Sequence, residues 1–371
     1  MSFSTRDMNE TFEFPGFLDV HVHFRDPGMT EAETLASGLA AADRGGFAAV
    51  VTMPNTSPPC DSPLLIKRQR NFSPRILPSA CMTAGRAGLV AADLEALAEA
   101  GASFFTDDGS YVSDDAVMEE VMRRAASLGM CVCQHAMDPK IQRGGVIRDC
   151  ALARRLALAV IPPEAETAAI RRDLSICRVT GCRLHVQHIS TAEGVELVRS
   201  AQREGLPVTA EATPHHLLLS CDDLETDDAN YKMAPPLGTR EDRAELRRAV
   251  KDGVLMFATD HAPHPARTKF LGFARSANGI IGLETAVAIT YAVMVEEERM
   301  DVEAWGRAWS EMPRTILSSG AKAAFDALSG VTRVTIGARR RVDPALFASL
   351  SRNCPYAGLE FSARAETVVR G

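Results

Sequence analysis

The sequence is poor in lysine, in paired cysteines and in long apolar runs. Only six of its 371 residues are lysines, and its nine cysteines include no C-x-x-C pair. We therefore interpret Cys131 and Cys133 as small core residues of a cytosolic protein, not as metal ligands or a disulfide. No apolar run approaches the roughly 20 residues of a membrane span. The first residues, MSFSTRDMNETFEF, lack the pattern of a secretory signal, so we expect a cytoplasmic protein without membrane contact.

The charge balance is acidic and shows no basic run. The net charge is −7 and the sequence pI is about 5.8, which argues against nucleic acid as a partner. With 46% hydrophobic residues, the chain is long enough to bury one large core.

Short apolar runs alternate along the chain with segments of helical periodicity, several of which end in glycine. This alternation predicts βαβ units and a parallel sheet. Eight such units predict an α/β fold, a closed (β/α)8 barrel over residues 15–325, with segments 1–14 and 326–371 outside it. The eight runs are 17–24, 47–53, 75–82, 103–107, 130–136, 183–190, 206–214 and 254–260.

Polar and titratable residues gather where these runs end. In a barrel of this kind the carboxyl ends of the strands carry the active site, whereas a purely structural core predicts no such bias. The residues are His21, His23, Arg25, Asn55, Asp107, Asp108, His135, His188, His215, His216, Asp260, His261 and His264.

The first run contains an H-x-H pair. His21 and His23 are two residues apart and therefore face the same side of a strand, and neutral imidazole is a common zinc ligand. An isolated pair is equally compatible with one buried and one surface histidine. Here Asp108, His135, His188 and Asp260 end other runs, so the sequence favours a metal site of nitrogen and oxygen ligands, the kind that suits Zn²⁺.

Six segments together resemble the amidohydrolase superfamily and, within it, the bacterial type I dihydroorotases. They are PGFLDVHVHFRDPG, MPNT, TDDG, VQHIST, TAEATPHHLLLS and ATDHAPH, and the likeness extends from about Phe14 to about Gly358. The resemblance implies a metal-dependent hydrolase barrel. It also implies the reversible cyclisation of N-carbamoyl-L-aspartate to L-dihydroorotate, a step of pyrimidine biosynthesis.

The resemblance also implies a ligand set for two zinc ions. His21, His23 and Asp260 would bind the first ion, and His135 and His188 the second. Many members of the superfamily bridge their metals with a carboxylated lysine, but this chain has no lysine between Lys67 and Lys140. Asp108, in TDDG, would be the bridge instead, and Asp260 would transfer the proton.

Substrate contacts follow from the same resemblance. Arg25, Asn55 and His264 would bind the substrate carboxylate, His23 would touch substrate as well as metal, and Asn278 and Gly279 would contact the ring. The residues alone leave alternatives, since Arg25 is compatible with a solvated surface charge, Asn55 with a turn and His264 with a loop.

The remaining histidines and one glutamate lie outside the predicted ligand set. We expect His261 to face away from the metals and His185 to be structural. Glu211 is predicted to be a buried carboxylate behind the ligands. His215 and His216 lie outside the ligand set, and either a core role or a contact with a ligand is open to them.

The match has three departures and leaves two other functions open. Ala234 and Asn278 stand where the family usually has Asn and Phe, and QHAMD replaces its HCED pattern. One alternative is a cyclic amidohydrolase acting on hydantoin or allantoin. The other is a non-catalytic partner of aspartate transcarbamoylase, which the complete ligand set argues against.

The chain ends predict a reduced β-domain. Only fourteen residues precede Pro15, whereas the family usually has more β-structure there, paired with C-terminal strands in a small sandwich. An incomplete sandwich would leave an apolar surface or an open edge. We expect a homodimer or a complex with aspartate transcarbamoylase to cover it.

Overall fold

The computed structural model describes residues 10–368 and shows an α/β fold. Most of its strands fall on the apolar runs of the sequence. Ten strands form within residues 10–368. They are β1 to β10: Glu10–Pro15, Phe17–Val22, Phe47–Thr52, Ile76–Pro78, Cys131–Gln134, Arg183–Val186, Val208–Ala212, Met256–Phe257, Val331–Arg341 and Glu360–Val368.

Helices separate the strands and cover them. They are α1 to α16: Leu35–Gly45, Pro63–Phe72, Leu94–Glu99, Asp115–Ser127, Pro139–Gln142, Ala151–Leu156, Glu164–Thr180, Ala192–Arg203, Pro214–Leu218, Arg240–Lys251, Ala266–Lys269, Gly272–Arg275, Ala286–Thr290, Val302–Trp309, Glu311–Arg314 and Ser319–Ala327. A π-helical segment, Tyr291–Glu297, follows α13.

Strands β2 to β8 are parallel and follow one another in space as they do in sequence. They form two ladders, β2-β3-β4 and β5-β6-β7-β8. Single parallel bridges continue the order: Phe105 pairs with both Ala80 and Val132, and Val22 pairs with His261. Every residue of β2 and β3 is buried, as expected for parallel strands covered on both faces.

Two of the predicted strands are much shorter than their apolar runs. Run 103–107 contributes only the bridge at Phe105, and run 254–260 forms the two-residue strand β8. The chain leaves ladder geometry at their carboxyl ends, where Asp107, Asp108 and Asp260 make side-chain contacts instead.

The described chain ends form one antiparallel sheet in the order β1-β9-β10. Phe14 of β1 is buried, and its ring lies 5.4 Å from that of Phe17 and 5.7 Å from that of Trp305. A Cβ on Gly306 would come within 2.3 Å of the Phe14 ring, so α14 can approach β1 closely only because this residue lacks a side chain. The terminal sheet therefore packs on the parallel-strand core.

The cysteines are core residues, as the sequence predicts for Cys131 and Cys133. All nine cysteines are buried and free of disulfides. Among the described residues, no helix combines the length and apolar character needed to cross a membrane.

Candidate metal centre and substrate pocket

The six predicted metal ligands meet at the carboxyl ends of the parallel strands. They arrive from five strand ends and are all buried: His21, His23, Asp108, His135, His188 and Asp260. Two triplets of ligand atoms each lie within 4.8 Å of one another. The first is His21, His23 and Asp260; the second is His21, Asp108 and His188.

Asp108 lies at the centre of the cluster. Its carboxylate oxygens lie 3.3 Å from Nε2 of His21, 3.3 Å from Nε2 of His23, 3.6 Å from Nδ1 of His135 and 3.6 Å from Nε2 of His188. A carboxylate within reach of histidines from both predicted ligand groups has the geometry of a bridging ligand.

The neighbouring aspartate points elsewhere. Asp107 accepts hydrogen bonds from the Met82 amide at 2.9 Å and from the amide and hydroxyl of Thr83. Only Asp108 enters the cluster, and Arg86 Nη1 donates to its carbonyl oxygen at 2.6 Å. Asp107 therefore holds the loop at Met82 and Thr83, and Asp108 lies among the histidines of the cluster.

Three of the predicted site residues have left-handed backbone conformations. The φ angles are +57° at Arg25, +33° at His188 and +48° at Asp260. Such values are uncommon for residues with a Cβ and cluster at functional sites, where the surrounding structure enforces them. Each lies two or three residues beyond the end of a parallel strand, and its side chain lines the pocket at the strand ends.

Glu211 supports the histidines from below. Its carboxylate lies 2.6 Å from Nδ1 of His21 and 2.9 Å from Nε2 of His185, and it accepts the His188 amide at 3.2 Å. A histidine that donates from Nδ1 to a carboxylate presents the lone pair of Nε2 to a metal. Glu211 therefore fixes the ring of His21, and His185, predicted to be structural, braces Glu211.

Asn55 and Asp19, like Glu211, contact histidines of the cluster. The Oδ1 of Asn55 lies 2.8 Å from Nδ1 of His23, leaving Nε2 of His23 3.0 Å from Asp260. Asp19 accepts from the His21 amide at 3.2 Å and from the Thr259 hydroxyl at 2.5 Å. Asn55 thus orients His23, a predicted ligand, and also lines the pocket.

The charges of the cluster act strongly on one another. Burial raises the pKa of Glu211, but His21 and His185 outweigh this and lower it to about 2. Burial likewise opposes ionisation of Asp108 and Asp260, but the histidines around them, His21 foremost, hold both pKa values below the usual range. Burial lowers the pKa of His135, which favours the neutral form that binds metal.

The donor atoms fit a divalent cation. Among the described residues, buried Nε2 of His21 and Oδ1 of Asp108 have no hydrogen-bond partner, although they are only 3.3 Å apart. Buried polar atoms are normally satisfied. Three ionised carboxylates among four buried histidines supply the charge and the nitrogen and oxygen ligands that such an ion requires.

A cavity of about 260 Å³ opens onto the cluster. Arg25 and His264 lie on one side of it, with Nη2 of Arg25 3.3 Å from Nε2 of His264. The same His264 nitrogen donates to the carbonyl of Asn278 at 2.7 Å. Asn55, Asn278 and Gly279 also line the cavity, so all the predicted substrate contacts are brought together.

The other histidines stay outside the metal donors. His261 lies 3.3 Å from Glu33 and accepts the Gly282 amide at 3.1 Å, so it faces away as predicted. His216 bonds Thr213 and the Pro235 carbonyl. His215 is buried beside it, and neither of its ring nitrogens has a partner in the described part of the chain.

Several residues of the site were not predicted. Asp19 shares the alternating register of His21 and His23, and that register is the signal that would have revealed it. Arg86, Gln142 and Asn353 come from loops or a short helix without a periodic pattern. Asn353 lies between β9 and β10, far from the other site residues in sequence.

Comparisons with known proteins identify the relatives of the chain. Residues 12–194 match the sequence model of the family described as Dihydro-orotase-like. The dihydroorotase of Geobacillus thermodenitrificans is 42% identical over 352 residues, covering 93% of this chain and 82% of that protein. The dihydroorotase of Listeria innocua is 41% identical over 357 residues, with the same coverage.

Solved structures give the same class. The L-hydantoinase of Arthrobacter aurescens superimposes with a TM-score of 0.80 at 25% identity, covering 97% of this chain and 84% of that one. The dihydroorotase of Saccharomyces cerevisiae, solved with 5-fluoroorotic acid, has a TM-score of 0.75 at 17% identity, covering 98% of this chain and 100% of that one. At that identity the likeness shows the fold alone.

The fold and the cluster of histidines and carboxylates define the class of metal-dependent cyclic amidohydrolases. Since relatives about 40% identical over more than nine tenths of its length are dihydroorotases, the chain belongs to the dihydroorotase family.

Proposed function

We propose that the protein is a zinc dihydroorotase that interconverts N-carbamoyl-L-aspartate and L-dihydroorotate in pyrimidine biosynthesis. The observation that carries the proposal is the cavity itself. Five of the six predicted ligands, all except the fully buried His21, line it together with Arg25 and His264. A small ring with one carboxylate and an amide next to it fits a cavity lined by predicted metal ligands and by a guanidinium cation.

The proposed centre holds two zinc ions within a closed (β/α)8 barrel. His21, His23 and Asp260 would bind one ion, His135 and His188 the other, with Asp108 between them. Bound divalent ions would lower the pKa of water and polarise the amide carbonyl. The bridges at Phe105 and at Val22 support ring closure, since they connect the two parallel ladders in strand order.

The protein's own groups bind the ring and move the proton. The forked guanidinium of Arg25 suits the substrate carboxylate, and His264 and Asn55 lie on the same cavity. Asp260 is 3.0 Å from His23 and 3.5 Å from His21. Held ionised in this position, it takes the proton from the attacking water and delivers it to the leaving ring nitrogen. Cyclisation runs the transfer in reverse.

The decisive experiment is dihydroorotate hydrolysis by the purified chain, with metal content measured by mass spectrometry on the same sample. We expect turnover and about two zinc ions per chain. Full metal occupancy without turnover, also after addition of aspartate transcarbamoylase, would contradict the proposal.

A second candidate is a hydantoinase-like activity. It is favoured by the likeness to the L-hydantoinase structure and by Ala234, which lines the cavity and offers no polar side chain to a substrate. Comparing the turnover of hydantoin, allantoin and dihydroorotate distinguishes the two activities. We expect dihydroorotate to be the preferred substrate.

The proposed setting is the cytoplasm, with the chain as a homodimer or bound to aspartate transcarbamoylase. The terminal sheet supports association, since β10 is an edge strand of it. Gel filtration of the chain alone and with the transcarbamoylase tests this; a monomer in both would contradict it.

A further inference from the structure

The segment 276–280, here called the wall because its Asn278 and Gly279 line the cavity, has all its carbonyl groups occupied by donors. This wall has no regular secondary structure apart from one bridge at Ile280. Lysine side chains donate to three of the carbonyls: Lys232 Nζ to Ser276 at 2.8 Å, and Lys269 Nζ to Ala277 and to Gly279, both at 2.9 Å. The Gly279 carbonyl also accepts from Asn353 Nδ2 at 3.0 Å. The Asn278 carbonyl accepts from His264 Nε2 at 2.7 Å, and the Ile280 carbonyl accepts from the Ala262 amide at 2.7 Å.

Two buried lysines supply much of this support. Lys232 and Lys269 are each 4% exposed, and neither has a carboxylate within 4.0 Å among the described residues. Lys269 Nζ contacts three carbonyl oxygens within 3.3 Å, and Lys232 Nζ contacts two. Burying a cation without a counter-charge is costly, so the wall carries a cost that plain loop packing does not require.

The ammonium form suits this arrangement. Burial lowers the pKa of Lys269 to about 7. Three carbonyls surround the nitrogen, and only the protonated form offers three N–H groups to them. At pH 6.5, below this pKa, the ammonium form of Lys269 predominates, and it lies without a carboxylate contact behind Asn278 and Gly279, which line the cavity.

Asn353 ties this wall to His264. Its Nδ2 donates to the carbonyls of Ala262 and Gly279 at 3.0 Å, and its Oδ1 accepts the His264 amide at 3.2 Å. Its own carbonyl accepts the Ile281 amide at 3.0 Å. One side chain from the connection between β9 and β10 thus fixes two segments of the pocket.

We infer that Lys232, Lys269 and Asn353 are positioning residues that make this wall selective for an anionic ring. With the wall's acceptors already occupied and positive charge behind it, a ligand that brings a carboxylate and ring carbonyls is favoured over a neutral ring that brings donors. This inference rests on the proposed function, since it explains how such a pocket would prefer dihydroorotate to an uncharged cyclic amide.

The test compares two ligands of the same ring, orotate and its neutral carboxamide, by calorimetry at pH 6.5 on the metal-loaded protein. Lys269→Met and Lys232→Met should each weaken the binding of orotate at least tenfold and the binding of the carboxamide less than threefold. Lys322→Met, which removes an exposed lysine of α16, is the matched control and should stay within twofold. If Lys269→Met does not fold, Lys269→Gln takes its place.

Two further measurements separate positioning from general damage. In the lysine variants, metal content and the thermal midpoint of unfolding should stay near the wild-type values. In steady-state kinetics of the same variants, KM should rise while kcat changes less than threefold. In Asn353→Ala, hydrogen exchange at the His264 amide should accelerate.

Orotate binding within twofold of wild type in the folded lysine variants would overturn the inference, as would equal loss of both ligands or failure of the wild type to bind orotate. Unchanged exchange at His264 would overturn the role of Asn353. Wild-type turnover of dihydroorotate is a separate measurement, and its failure would count against the proposed function instead.

Discussion

At the scale of single residues, the carboxylates of the centre divide by what they touch. Asp260 and Asp108 lie among the histidines predicted to bind metal, whereas Glu211 and Asp19 accept hydrogen bonds from His21. Replacing members of the two groups should therefore separate proton transfer from metal affinity.

Asp260→Asn should keep the metal and lose turnover. Asparagine retains an oxygen at the same place but cannot accept and return a proton, so kcat should fall by about 10²–10⁴-fold. Steady-state rates with metal analysis of the same samples check this. Turnover within a few-fold of wild type would show that Asp260 does not carry the proton.

Glu211→Gln should weaken metal binding. A glutamine has a single acceptor oxygen for the two histidines that Glu211 now bonds, so affinity should fall by about 10–100-fold. Competition with a chelator measures it. Exposed Glu225 offers the control Glu225→Gln, and equal affinities in the two variants would refute the supporting role of Glu211.

At the scale of elements, α7 carries a buried charge that makes stability depend on pH. Asp173 is 1% exposed and accepts from Arg172 Nε at 2.8 Å, while in the described structure its Oδ2 has no hydrogen-bond partner. Burial outweighs Arg172 and raises the pKa of Asp173 from 3.8 to about 6. Between these values the folded state holds a proton that the unfolded state has lost.

Asp173 should therefore make the free energy of unfolding fall as pH rises from about 4 to about 6. Asp173→Asn lacks this dependence, so its stability relative to wild type should rise by up to about 3 kcal/mol from pH 4 to pH 7. Urea unfolding at several pH values measures it, with Asp115→Asn, an exposed partner of the same arginine, as control. A flat difference would contradict the prediction.

At the scale of the whole molecule, the terminal sheet and the parallel-strand core share an apolar interface. Phe14 of β1 lies against Phe17 of β2 and Trp305 of α14. The connection between β9 and β10 carries Asn353 to the pocket. The chain ends are thus part of the structure that positions the site.

Phe14→Ala should lower the free energy of unfolding by about 3–5 kcal/mol, because it leaves a cavity between the sheet and the core. Phe72→Ala, at a position 51% exposed, should change it by less than about 1 kcal/mol. Denaturant unfolding of both variants gives the comparison. A small loss for Phe14→Ala would mean that the terminal sheet contributes little to the folded core.

Much of the site was predictable because strand period and strand order are local properties. The alternation in DVHVH indicates that His21 and His23 share a face, and parallel strands must bring their carboxyl ends to one edge. The absence of lysine between Lys67 and Lys140 excluded a carboxylated lysine there. These features are determined by the sequence alone, since each depends on spacing or residue type.

Tertiary structure decided which side chains face the centre once the strands end. Residue type and strand period do not separate Asp107 from Asp108. The resemblance favoured Asp108, and the tertiary contacts put Asp107 against Thr83 and Asp108 among the histidines. Asn353, Lys232 and Lys269 support the pocket wall from loops or a four-residue helix, which show no hydrophobic periodicity in the sequence. Their roles depend on which carbonyl groups lie within hydrogen-bond distance, and that is fixed only when distant segments pack together.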